Sequence, residues 1–173
     1  MTAQDWIDTL DLERHPEGGY YRETYRSDEQ LDRSVLPARF DGDRSFSTAI
    51  YFLLEAGQIS AFHRIASDEL WCFHTGAPLR IEHLNPNGSH TTHHLGPVPE
   101  RGQVFQCVIP ATTWFGACVD ANIGYSLVSC AVAPGFDFAD FELADREKLT
   151  RAFPHHKTLI TQLTRAPMND AQP

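Results

Sequence analysis

The chain has 173 residues, 42% of them apolar, and 14 basic against 23 acidic residues give a net charge of −9. That is one ordinary domain's length, enough to bury a core without staples. The acidic balance argues against a phosphate-binding surface for DNA or RNA and against a polybasic membrane anchor. No apolar run approaches the roughly 20 residues that span a bilayer. No basic-apolar leader opens the chain, so the expected location is the cytoplasm.

The elements follow in chain order. Asp5 to Leu12 carries apolar residues at 6, 7, 10 and 12 and predicts a short helix within a helical segment 1–14. His15-Pro16-Glu17-Gly18-Gly19 breaks it. Tyr20 to Tyr25 alternates as a strand; parity puts Tyr21, Glu23 and Tyr25 on one face. Residues 28–45, charged and holding Pro37 and Gly42, predict a long loop. Ser47 to Leu54 predicts a strand, and further short strands are expected near 58–65, 68–75, 78–84, 90–95, 104–109, 114–118 and 123–133. Asn85-Pro86-Asn87-Gly88 marks a hairpin turn. Short strands with turn signals every 8–12 residues predict an all-β sandwich or barrel. Asp145–Leu149 and Thr158–Leu163 predict helical turns in a segment 145–166, split by Pro154. Residues 167–173 are expected to be a frayed tail after a single domain, 1–166. Cys72, Cys107, Cys118 and Cys130 form no Cys-x-x-Cys pair and sit in apolar stretches, as buried reduced thiols do.

The chemistry concentrates in Gly57 to Gly76. His63 follows Gly57 by six residues, Glu69 follows His63 by six, and Gly76 closes the segment. This resembles the first motif of the cupin superfamily, with Ile65 where that motif has a second histidine. Gly102 to Pro110 is similar to the opening of the second motif, and Trp114-Phe115-Gly116 stands where its histidine would fall. His15-Pro16-Glu17-Gly18-Gly19-Tyr20-Tyr21-Arg22-Glu23-Thr24-Tyr25-Arg26-Ser27, Ser67-Asp68-Glu69-Leu70-Trp71 and Ala133-Pro134-Gly135-Phe136-Asp137-Phe138 resemble one cupin subfamily long filed as a domain of unknown function. Together these matches span roughly residues 5–163. The resemblance implies a cupin-type double-stranded β-helix, a jelly-roll barrel with short helices at both termini, that often dimerises. It carries fold better than function.

His63 and Glu69 are the candidate catalytic pair, meeting across adjacent strands in the barrel mouth. Burial and charge tune such a pair for proton transfer, an effect worth about 10²–10⁴ in rate. Glu23, Tyr25, Tyr51, Trp71, Phe73, Gln106 and Trp114 are the candidate substrate-binding residues; the aromatics among them would form a wall for a flat or sugar-like ligand. His63 and Glu69 would also be the ligands of any divalent metal, but they are two where three or more are needed. His74, His83 or Gln106 would have to complete the set, so the expectation is no cofactor. His90, His93 and His94 predict a solvated polar strand, and His155-His156 a polar tail. Arg22, Arg26, Arg44 and Arg64 are equally suited to binding an anion or to pairing with the acidic surface.

The leading reading is a small-molecule-binding cupin doing metal-independent chemistry of the epimerase, isomerase or lyase type on a sugar-like or small polar metabolite. His63 is the acid or base, and Glu69 orients it or takes the second proton. A metal-dependent oxygenase or hydrolase with an incomplete ligand set, and a non-catalytic binding or storage protein, are the alternatives. The expected partners are a small ligand and a second copy of the chain, with neither nucleic acid nor membrane. On this reading His63→Ala abolishes turnover and leaves the melting temperature nearly intact.

Overall fold

A computed structural model describes residues 1–165; the tail expected at 167–173 lies outside the described residues. The chain opens with α1 (Ala3–Leu10), which starts at a reciprocal Thr2–Asp5 capping box and stops where Asp11 turns left-handed at φ 52°. Where a helical segment was expected to continue, β1 (Glu13–Arg14) pairs instead with β2 (Tyr20–Arg26). The loop expected at 28–45 contains a small ladder of β3 (Gln30–Leu31) with β4 (Arg44–Ser45). The strand-rich middle follows as expected: β5 (Thr48–Glu55), β6 (Ile59–Arg64), β7 (Asp68–Gly76), β8 (Leu79–Leu84), β9 (His90–Leu95), β10 (Gln106–Ile109), β11 (Trp114–Val119) and β12 (Tyr125–Ala133). A two-residue β13 (Glu142–Leu143), then α2 (Arg146–Ala152) and α3 (Lys157–Gln162), complete it.

Two antiparallel sheets face one another. One runs β1-β2-β5-β12-β7-β10 and the other β13-β6-β11-β8-β9. Their inner faces share one core, with Phe52, Leu54, Trp71 and Val128 from the first sheet packed against Leu79, Ile81, Phe115 and Ala117 from the second. This is an all-β sandwich, as expected, built as two open sheets. The outer faces are covered by the terminal helices. Trp6, Ile7 and Leu10 of α1 pack on Leu53 and Leu127, while Leu149 of α2 and Ile160 of α3 pack on Phe62 and Leu84. Among the described residues no helix is long and apolar enough to cross a membrane.

Register explains which side chains reach the interior. Across the first sheet Thr48, Val132 and Glu69 form one row, Ile50, Cys130 and Trp71 the next, and Phe52, Val128 and Phe73 the third. Residues of the same row share a face, because side-chain direction alternates with period two. Opposite them His63 pairs with Phe115, and Phe115 with His83.

All four cysteines are free thiols, Cys107 and Cys130 among the buried residues. Burial pushes the Cys107 thiol up to about 12 and the Cys130 thiol well above its ordinary value. Thiolate is the reactive form. A disulfide-exchange reagent at pH 8 is therefore expected to modify at most Cys72 and Cys118 in the native protein, and all four in urea, as read by absorbance of the released thiol.

Candidate active site

The two sheets part at one end around a cavity of about 480 Å³. Its first wall is the inner face just described, with Tyr21, Glu23 and Arg26 extending it. Its second wall holds His63 and Ile65, and Phe136, Phe138 and Phe141 cross its mouth. The crossing segment is strapped down. Gly135 N–H donates to the Ser45 carbonyl at 2.7 Å, Phe136 N–H to Thr48 Oγ1 at 2.9 Å, and Asp140 takes two bonds from the buried Arg44 guanidinium at 2.6 and 2.7 Å.

A fourth component comes from the His15–Gly19 turn. It threads between β5 and β6, and Ala61 N–H of β6 donates to the Glu17 carbonyl at 2.9 Å. The Glu17 side chain is thereby buried inside the cavity. Its Oε1 accepts from the Ser60 hydroxyl at 2.8 Å. Its Oε2 lies 3.1 Å from His63 Nε2 and 3.3 Å from His15 Nδ1. The His15 ring stands edge-on to Tyr21, centroids 4.7 Å apart, and to Phe141 at 5.8 Å.

Protonation follows from these contacts. His63 Nδ1 is 2.8 Å from the Ala61 carbonyl oxygen, an acceptor, so Nδ1 carries a hydrogen. In a neutral ring Nε2 then offers a lone pair to Glu17, and one proton must lie between them. Desolvation raises the Glu17 carboxyl and lowers the His63 imidazole. Both shifts favour the uncharged pair, with Glu17 O–H donating to Nε2. Desolvation also raises Glu69, to about 7, opposed by His63 and reinforced by Glu17. At neutral pH Glu69 is therefore divided between acid and carboxylate. The Trp71 indole and the Cys130 thiol lie on its side of the sheet and oppose the rise weakly. The buried Trp71 Nε1–H nevertheless has no acceptor at hydrogen-bonding geometry among the described residues.

The placement of the sequence-predicted residues is mixed. His63, Glu69, Glu23 and Trp71 all line the cavity. His63 and Glu69 belong to facing sheets, however, not to adjacent strands of one sheet, and the carboxyl touching His63 is Glu17. Tyr25 lies outside the cavity, 54% exposed. A bulge at Thr24 shifts the register between Glu23 and Tyr25 and turns Arg26 inward in its place. Tyr51 points to the outer face, among the residues beneath α1. Phe73 is one row deeper than Trp71 and packs into the core. Gln106 is exposed on the edge strand β10, paired with outward-facing Cys72. Trp114 packs on the outer face of the second sheet under the Arg64 guanidinium, 4.6 Å above its ring. His15, Glu17, Phe136, Phe138 and Phe141 complete the site and had no functional expectation attached. The signal available was a histidine and a glutamate in front of Gly18-Gly19, two residues that a plain turn does not require.

The other polar candidates resolve simply. Arg22, Arg26, Arg44 and Arg64 pair with Asp11, Glu23, Asp140 and Glu142. His90 contacts the buried Glu82, and the His83 and His93 rings pack together with centroids 5.1 Å apart, so β9 is less solvated than expected. His74 packs against Tyr51 on the outer face. Ile65 occupies the expected ligand position, and both His63 nitrogens are already engaged. Among the described residues no three His, Cys, Asp or Glu side chains are disposed to hold a metal ion.

The neighbours of His63 also revise the mutational expectation. Removing the ring deletes a packing partner 4.1 Å from the Phe115 centroid and leaves Glu17 buried without its acceptor. His63→Ala is expected to lower stability by about 2–4 kcal/mol in urea titrations, not to leave it intact.

The cupin superfamily (DUF985) family model matches residues 4–144. Uncharacterized protein YML079W of Saccharomyces cerevisiae is 29% identical over 148 residues, 80% of this chain and 73% of its own length. Protein SO0799 of Shewanella oneidensis has a solved structure with TM-score 0.86 and 41% identity, covering 95% of this chain and 98% of that one. A hypothetical protein of Leishmania major gives 0.87 and 36%, covering 96% and 100%. Oxalate decarboxylase of Bacillus subtilis is similar in fold alone, with TM-score 0.54 and 14% identity over 95% of this chain and 43% of that chain.

Proposed function

Because the chain belongs to the cupin superfamily, in the family described as DUF985, we propose that its cavity binds a small polar metabolite and moves a proton on it. The reaction class is that of an epimerase, isomerase or lyase working without a metal. One observation carries this reading. The Glu17–His63 pair, which shares one proton, and the Glu69 carboxyl, raised to about 7, stand on opposite walls of one cavity. A substrate between them has an acid–base group on either side, so a proton taken from one face of a carbon can be returned to the other. Glu17 fixes the imidazole through Nε2, and the Ala61 carbonyl fixes it through Nδ1. Three phenylalanines across the mouth restrict water at the reacting carbon.

A labelling experiment tests this with the substrate still unidentified. Purified protein is incubated in D₂O with a cell-derived pool of small metabolites, and mass spectrometry reads gain of one deuterium. One or a few compounds should gain the label, as quickly after dialysis against EDTA as before. A pool that stays unlabelled, or labelling lost on chelation and restored by a divalent metal, would sink this reading.

A further inference from the structure

We infer that the ligand of this cavity is a small organic cation that also carries a hydroxyl or carbonyl oxygen, such as an amino alcohol or an amino sugar. The inference rests on the cavity being a small-molecule site and adds the ligand's charge and class.

Charge is the first ground. Five carboxyl side chains line the cavity, Glu13, Glu17, Glu23, Glu69 and Asp137, against the guanidiniums of Arg22 and Arg26. Both guanidiniums are already engaged. Arg22 binds the Asp11 carboxylate and carbonyl. Arg26 makes two bonds to Glu23, at 2.9 and 2.7 Å, and a third to the Phe136 carbonyl at 3.1 Å. Glu13, Glu69 and Asp137 form no ion pair with a lysine or arginine among the described residues. The imidazoles of His15 and His63 are kept from charging by burial. Glu17 is held uncharged, with the Arg165 guanidinium in its field, and Glu23 is paired with Arg26. The charge left at the cavity is that of Glu13, of the ionised share of Glu69 and of Asp137, which only Arg26 and Arg44 attract from a distance. This remaining negative charge between low-dielectric walls repels an anion and draws a cation in.

The walls give the second ground. Aromatic rings present negative faces, and cations sit favourably over them. Tyr21, Phe52 and Trp71 supply such rings on one side, and Phe136, Phe138 and Phe141 on the other.

The third ground is a pair of neighbouring buried groups, the Trp71 indole and the Glu69 carboxyl, which lie side by side on the cavity wall but fall short of a well-aligned hydrogen bond to one another. Trp71 is 1% exposed and its Nε1–H has no acceptor at hydrogen-bonding geometry. Glu69 is 7% exposed, lines the cavity and has no cation beside it among the described residues. Buried polar groups are ordinarily satisfied. An indole donor calls for an oxygen on the ligand, and a carboxylate suits an ammonium. A cavity of about 480 Å³ accommodates a molecule of hexose size.

Two size-matched triads test this by isothermal titration at pH 7.5: glucosamine, glucose and gluconate, and ethanolamine, ethylene glycol and glycolate. In at least one triad the amine should bind about tenfold or more tighter than its neutral and acidic counterparts. That preference should weaken at high salt and fall several-fold in Asp137→Asn and in Glu13→Gln, both exposed rim positions. Asparagine at 137 retains the side-chain oxygen that accepts the Ala139 N–H at 2.8 Å. A neutral or acidic member binding as well as the amine overturns the inference. So does the absence of binding in both triads up to about 50 mM, a concentration at which even weak specific ligands register. A neutral or acidic metabolite labelled by deuterium would overturn the charge class while leaving proton transfer standing. An unlabelled pool with amine-selective binding would do the reverse.

Discussion

The Glu69→Gln protein is expected to transfer solvent deuterium at least about 10²-fold more slowly than the parent, and above pH 7 to be the more stable of the two. The two effects have one cause. Glu69 is placed in the inner row with Thr48 and Val132, where desolvation raises its carboxyl to about 7. A group divided between its two protonation states at neutral pH both accepts and returns a proton readily, and glutamine does neither. The same burial costs stability. In the unfolded chain the carboxyl ionises near 4.5, while the folded protein holds its proton to about 7. Between these values the native state binds more protons than the unfolded state, so stability falls as pH rises through this window. The full effect is about 3 kcal/mol and is reached above pH 7. Glutamine has no charge to desolvate. The variant and the parent should therefore unfold at similar urea concentrations near pH 4.5 and separate progressively towards pH 8, the variant higher. A variant that loses transfer together with stability at pH 8 would make Glu69 a structural residue.

This trade also marks what the sequence could and could not disclose. His63 and Glu69 were legible because their spacing follows a known motif, and strand alternation alone puts Glu69, Trp71 and Phe73 on one face. Alternation fails wherever the ladder slips. The bulge at Thr24 exchanges Tyr25 for Arg26 at the cavity, and no local preference in Glu-Thr-Tyr announces it. Nor does parity say which face of a strand is covered by a helix. Tyr51 sits on a well-formed strand but under α1, and Trp114 on another but under α2 and α3, helices remote from them along the chain. The pairing of His63 with Glu17 spans 46 positions and crosses from a turn into a sheet. Such a contact is fixed by tertiary packing rather than by any periodicity. The strands themselves were legible nearly throughout, because β-branched and aromatic runs between turn residues reflect local preferences that the fold does not override.

Gly18→Ala is expected to cost about 4 kcal/mol or more, enough to leave little folded protein at 37 °C. Gly18 adopts φ +117°, a conformation that L-residues with a Cβ rarely enter. A Cβ there would land on the Ile59 carbonyl oxygen, backbone that cannot swing aside as a side-chain tip can. Gly19 follows at φ +71°, where a Cβ would lie 2.7 Å from the Leu53 carbonyl oxygen. The turn thus passes between β5 and β6 with room for hydrogen only. That close passage is what carries Glu17 to His63, since Gly18 N–H donates to the His15 carbonyl and Ala61 N–H to the Glu17 carbonyl. Urea unfolding of Gly18→Ala and of Gly57→Ala separates the two components. Gly57 also has positive φ, at +86°, but a methyl there would meet nothing within 4 Å. Its alanine variant should lose only the conformational part, about 1 kcal/mol. Equal losses at the two positions would mean that close approach at Gly18 is not what seats the glutamate.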